Sequence, residues 1–132
     1  MSDTSKSAEE ISMARILIAD DAMFMRSILK NIFTKNGHEV VGEAASGREA
    51  YELYKELKPD VMTMDITMPD VDGIEAVQKI KGEFPDANII MCSAMGQDYL
   101  VLNALKAGAR DFIVKPFKPD TVIAAIEKVV GK

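Results

Sequence analysis

Apolar residues fall into two alternating patterns along this chain. Short apolar runs at Arg15 to Ala19, Val61 to Met64, Asn88 to Cys92 and Phe112 to Val114 read as strands, the first of them continuous enough to be buried on both faces of a sheet. A weaker run, Glu39 to Ala44, mixes polar residues with apolar ones and predicts a strand at the sheet's edge. Between the runs, apolar residues recur at helical spacing. Met25, Ile28, Leu29, Ile32 and Phe33 form one stripe, and Ala50, Leu53, Tyr54 and Leu57 a second. Ile74, Val77 and Ile80 form a third, Val101, Ala104 and Leu105 a fourth, and Val122, Ile123, Ile126, Val129 and Val130 a fifth.

Local signals punctuate these stretches. Gly37 and Gly108 suit helix C-termini, and Ser46 with Glu49 has capping-box spacing. Pro59 and Pro85 stop helices, while Pro119 suits a first helical turn. Five strand-then-helix units with short connections predict a parallel sheet with helices on both faces. The expected fold is an α/β, three-layer αβα sandwich with a doubly wound sheet, and right-handed crossovers leave it few topologies.

The totals narrow the class. A chain of 132 residues, 48% hydrophobic and 28% charged, is one globular domain. No apolar run approaches the roughly 18 residues of a membrane span, and no secretory signal is visible. A single cysteine, Cys92, cannot form an internal disulfide, which agrees with a reducing cytoplasm. The net charge of −5 argues against non-specific nucleic-acid binding. Residues 1–13 are serine-rich without apolar periodicity and are set aside as a mobile extension or tag; residues 14–132 are expected to fold.

In a parallel sheet every residue at the end of a strand lies on one rim, where open α/β sheets bind ligands. That rim holds Asp20 and Asp21, Asp65, Ser93 and Lys115. Clustered carboxylates repel one another and need a counter-charge. Hard oxygen donors with no histidine or cysteine suit Mg²⁺, with Mn²⁺ as an alternative. A carboxylate held against such an ion can attack phosphorus and form an acyl phosphate. Lys115 would pair a phosphoryl oxygen as a point charge, and Ser93 would donate a hydrogen bond to it.

The residues Asp20-Asp21, Met64-Asp65 through Pro69 to Gly73, Ser93-Ala94 and Lys115-Pro116-Phe117 make the chain from Arg15 to Lys132 resemble a response-regulator receiver domain, most closely the free-standing receivers of chemotaxis. The resemblance implies strand order 2-1-3-4-5 and specific roles. Asp65 would be the phosphoacceptor, Asp21 a direct metal ligand, Asp20 the holder of the ion's water shell, and Thr67 a ligand through its backbone carbonyl. Ser93 and Lys115 would contact the phosphoryl group, and the Lys115–Pro116 bond would be cis. It further implies a sensor histidine kinase as donor, and a motility switch protein or phosphatase as partner of a cytoplasmic monomer. Such a protein is no enzyme beyond promoting its own phosphorylation and dephosphorylation. An alternative is a phosphorelay intermediate that passes the group to a histidine phosphotransferase.

The resemblance also implies that Ser93 and Phe112 act as a switch and that a face carrying Lys106, Arg110, Phe112 and Lys118 meets the partner. Thr67 and Met95 would flank the hydrolytic water; neither is acidic or an amide, so modest rather than fast self-dephosphorylation is expected. Cys92 reads as an inert buried thiol and His38 as a loop residue. Met23, Met68 and Met95 read as adaptable contacts near the rim. Two other classes fit less well. A flavin carrier needs a Ser/Thr/Gly-rich phosphate loop where Asp20-Asp21 stands, and a haloacid-dehalogenase-type phosphatase needs an acid where Thr67 stands.

Overall fold

The computed structural model describes residues 13–69 and 71–130. Residues 1–12, nearly all of the expected extension, therefore lie outside the described residues. The strands are β1 (Arg15–Ala19), β2 (Glu39–Ala44), β3 (Val61–Asp65), β4 (Ile89–Ala94) and β5 (Asp111–Lys115). They alternate with α1 (Met23–Lys35), α2 (Gly47–Leu57), α3 (Gly73–Glu83), α4 (Asp98–Ala107) and α5 (Pro119–Val130). All four strand pairings are parallel, in the order β2-β1-β3-β4-β5. The winding direction reverses between β1 and β3, which opens a crevice at their carboxyl ends.

The apolar runs are continuous because each central strand feeds two cores. Side chains alternate across a strand, so Leu17 joins Met62, Met64, Ile89 and Met91 beneath α2, α3 and α4. Ile16 and Ile18 point the other way and join Phe33, Ile90, Ile113 and Ile126 beneath α1 and α5. Each such fully buried side chain contributes about 1.5–3 kcal/mol. The edge strands β2 and β5 keep exposed positions, which accounts for the polar admixture in β2.

Several expectations are corrected. The fourth strand runs from Ile89 to Ala94 rather than from Asn88 to Cys92. Asn88 instead uses its side chain, donating to the Asp60 carbonyl (3.2 Å) and accepting from Arg110 (2.8 Å). Asp65 and Lys115 are the last residues of their strands, and Ser93 is the last but one of its strand, because ladder hydrogen bonds ignore side-chain polarity. His38 stands in a connection but is buried, and its Nδ1 accepts the Ala14 N–H at 3.0 Å. Met68 is also buried, packed into the core beneath α2–α4, so it offers no adaptable surface at the rim.

Candidate phosphorylation and metal site

The rim residues reach the crevice from four strand ends. Asp20 follows β1, where its own N–H continues the sheet by donating to the Ala44 carbonyl at 2.9 Å. Its side chain is buried and fixed at both oxygens. Oδ1 accepts the Ala22 N–H at 2.9 Å, and Oδ2 accepts from Lys115 Nζ at 3.2 Å. Asp21 is exposed. Asp65 ends β3 half-buried, with Oδ1 3.4 Å from the same Lys115 nitrogen. One carboxylate oxygen from each of Asp20, Asp21 and Asp65 lies within 4.8 Å of the other two.

The register explains the meeting. Asp65 pairs with Cys92 and Ala94 pairs with Lys115, so β3, β4 and β5 end side by side. Backbone packing holds Asp65 in place from behind. A Cβ on Gly73 would stand 2.3 Å from the Asp65 carbonyl oxygen and 2.8 Å from Ile66 Cα, so α3 can begin this close to β3 only with glycine there. Asp72 caps that helix by accepting the Glu75 N–H at 2.9 Å.

Electrostatics set the protonation of the cluster. Burial pushes the Asp65 carboxyl above its ordinary value; Lys115 pulls it back, and Asp20 and Asp21 push it up again. Burial by itself would lower the Lys115 ammonium, but Asp65 and Asp20 outweigh it and hold the group above its ordinary value. One ammonium thus lies within ion-pair distance of two carboxylates, and the third, Asp21, lies close to both of them. Cys92, paired with Asp65 across β3 and β4, is fully buried, and burial pushes its thiol up to about 12, which leaves it un-ionised and inert.

Ser93 is buried and its Oγ has no hydrogen-bond partner, an idle donor beside the cluster. Thr67 is exposed, and its hydroxyl accepts from Gln97 Nε2 at 3.2 Å. Phe112 points outward and is 42% exposed. The Lys115–Pro116 bond is cis. The donor set of three carboxylates, short of positive charge and free of nitrogen or sulfur ligands, fits a hard divalent cation such as Mg²⁺.

Two features escaped the sequence. Gln97 sits at the rim, because its place depends on a turn that returns its side chain toward β3. The exposed face around Phe112 is also more apolar than its charges suggested, since α4 and β5 line a groove there with Val101, Leu102, Leu105 and Val114.

A doubly wound sheet with this acid–lysine constellation at its strand ends defines a class. The chain belongs to the response regulator receiver domain family, whose model matches residues 16–127. Within it the chain is homologous to CheY, a phosphorylation-activated chemotaxis response regulator of two-component systems. CheY of Thermotoga maritima is 62% identical over 115 residues, covering 87% of this chain and 96% of that one. CheY of Bacillus subtilis is 59% identical over 117 residues, covering 89% and 98%. Among solved structures, a chain of the CheX–CheY–BeF₃–Mg²⁺ complex from Borrelia burgdorferi matches with a TM-score of 0.83 at 39% identity, covering 87% of each chain.

Proposed function

We propose that Asp65 accepts a phosphoryl group from the phosphohistidine of a sensor kinase and that the modified protein then binds a component of the motility switch. The observation that carries this reading is the single Lys115 ammonium placed between the Asp20 and Asp65 carboxylates, with Asp21 completing the acidic set. An Asp65 oxygen attacks phosphorus, the P–N bond breaks, and the histidine nitrogen leaves with the electron pair. Asp20, Asp21 and Asp65 would hold Mg²⁺ together with the Thr67 carbonyl. When bound, the ion neutralises charge on the transferring group. Lys115 balances the acidic set and pairs a phosphoryl oxygen. The unpartnered Ser93 hydroxyl becomes a donor to the new group, and Phe112 reports the change.

The partner face includes the apolar groove of α4 and β5, with the exposed Leu102, Phe112 and Val114, and the exposed Lys106, Arg110 and Lys118 are assigned to the same face. Residues 14–132 form the receiver, residues 1–13 are an extension, and the protein acts as a cytoplasmic monomer. Incubation with acetyl phosphate and Mg²⁺, read by intact mass, tests the central step. One phosphoryl group should add to the wild type and none to Asp65→Asn or to wild type in excess chelator. An adduct of equal yield on Asp65→Asn would overturn the assignment.

A further inference from the structure

Gln97 lies outside the acidic set, yet its carboxamide joins the two loops that flank it. The chain leaves β4 through a tight turn. The Gln97 N–H donates to the Ala94 carbonyl at 3.3 Å, and Gly96 supplies the positive φ of +89° at the turn's third position. Gln97 is also the N-cap residue of α4, where a polar side chain ordinarily bonds into the helix. Here it makes no such cap bond. Its Oε1 turns back to accept the Ala94 N–H at 2.7 Å, and its Nε2 donates to Thr67 Oγ1 at 3.2 Å. Ala94 directly follows Ser93, and Thr67 stands two residues beyond Asp65.

We propose that the Gln97 carboxamide is a latch that ties the Ser93–Ala94 end of β4 to the loop after Asp65, and that this latch opposes phosphorylation. The inference rests on the reading of Asp65 as phosphoacceptor. A phosphoryl group brings roughly −1.5 to −2 charges and three acceptor oxygens into a crowded cluster. The Ser93 hydroxyl, buried without a partner, has to adjust to become a donor to it. Gln97 holds the very next backbone N–H and so resists that adjustment. Neither of its polar atoms belongs to the carboxylate set, so Gln97 is a positioning residue, acting on the balance between the two states and not on the ion.

Calorimetric titration with beryllofluoride, a phosphoryl mimic, at saturating Mg²⁺ tests the latch, alongside titration with Mg²⁺ alone. Gln97→Ala and the length-preserving Gln97→Met should both bind beryllofluoride about fivefold more tightly than wild type, the effect of a lost resting-state hydrogen bond. Their affinity for Mg²⁺ alone should not change. Thr67→Val, which cuts one of the two bonds, should give a smaller gain and add nothing to Gln97→Ala. Unchanged or weaker beryllofluoride binding in the Gln97 variants would overturn the latch, as would an equal change in Mg²⁺ binding. If wild type itself takes up no beryllofluoride with Mg²⁺, the phosphoacceptor reading fails, and the latch with it.

Discussion

At Asp65, burial and two neighbouring carboxylates act against ionisation, while the Lys115 ammonium acts for it, and the net effect is a raised carboxyl. A carboxyl raised on folding contributes stability that is complete below its unfolded value of 3.8 and is lost as pH rises through the folded value. At neutral pH without Mg²⁺ the charged Asp65 therefore weakens the fold. Asp65→Asn should unfold about 1 kcal/mol less readily than wild type in chelator, a difference read by urea denaturation. That advantage should shrink as pH falls below the folded value of Asp65. A variant less stable than wild type at neutral pH would show that the bond to Lys115 outweighs the repulsion. The carboxylates, Ser93 and Lys115 were legible in the sequence because residue type and position at a strand end suffice to place them. Gln97 was not, because its role depends on where a glycine turn sends a side chain.

Between elements, His38 fastens the entry of β1 to the connection between α1 and β2. Its Nδ1 accepts the Ala14 N–H, while the next residue's N–H donates to the Ala14 carbonyl at 2.9 Å. Accepting at Nδ1 leaves the proton on Nε2, which is buried without a partner. Burial holds the imidazole below its ordinary value of 6.5, and Glu127 on α5 opposes this only in part. A histidine lowered on folding contributes stability above 6.5 that is lost as pH falls through the folded value. His38→Ala should cost about 1–3 kcal/mol above that pH by orphaning the Ala14 N–H. The gap to wild type should close in more acid solution; a gap independent of pH would mean that His38 acts by packing alone. The strands and helices themselves were legible because the apolar period changes between strand and helix at every element, with Ser46 and Asp72 capping α2 and α3 by side chain. Their last residues were not, since backbone pairing carries β4 to Ala94 whatever the side chains are.

Across the molecule, the parallel sheet brings Asp20, Asp21, Asp65, Ser93 and Lys115, separated by as many as 95 positions, to one rim. The unfolded chain has no such cluster, so cation binding and folding are linked. The layered architecture followed from five repeated strand–helix units, and the order of strands from resemblance to a family; composition and period leave that order open. The apolar side chains of the central strands are committed to the two layers, beneath α2–α4 and beneath α1 and α5, which leaves the strand ends to the polar rim residues.

A crystal structure with Mg²⁺ and beryllofluoride is the most direct measurement of the site. Beryllium is expected on an Asp65 oxygen, with the cation held by Asp21, Asp65 and the Thr67 carbonyl and with Asp20 alongside. Lys115 and Ser93 are expected to contact fluorine. Beryllofluoride on another carboxylate, or a cation held away from the Asp20, Asp21 and Asp65 set, would contradict the convergence on which the proposed function depends.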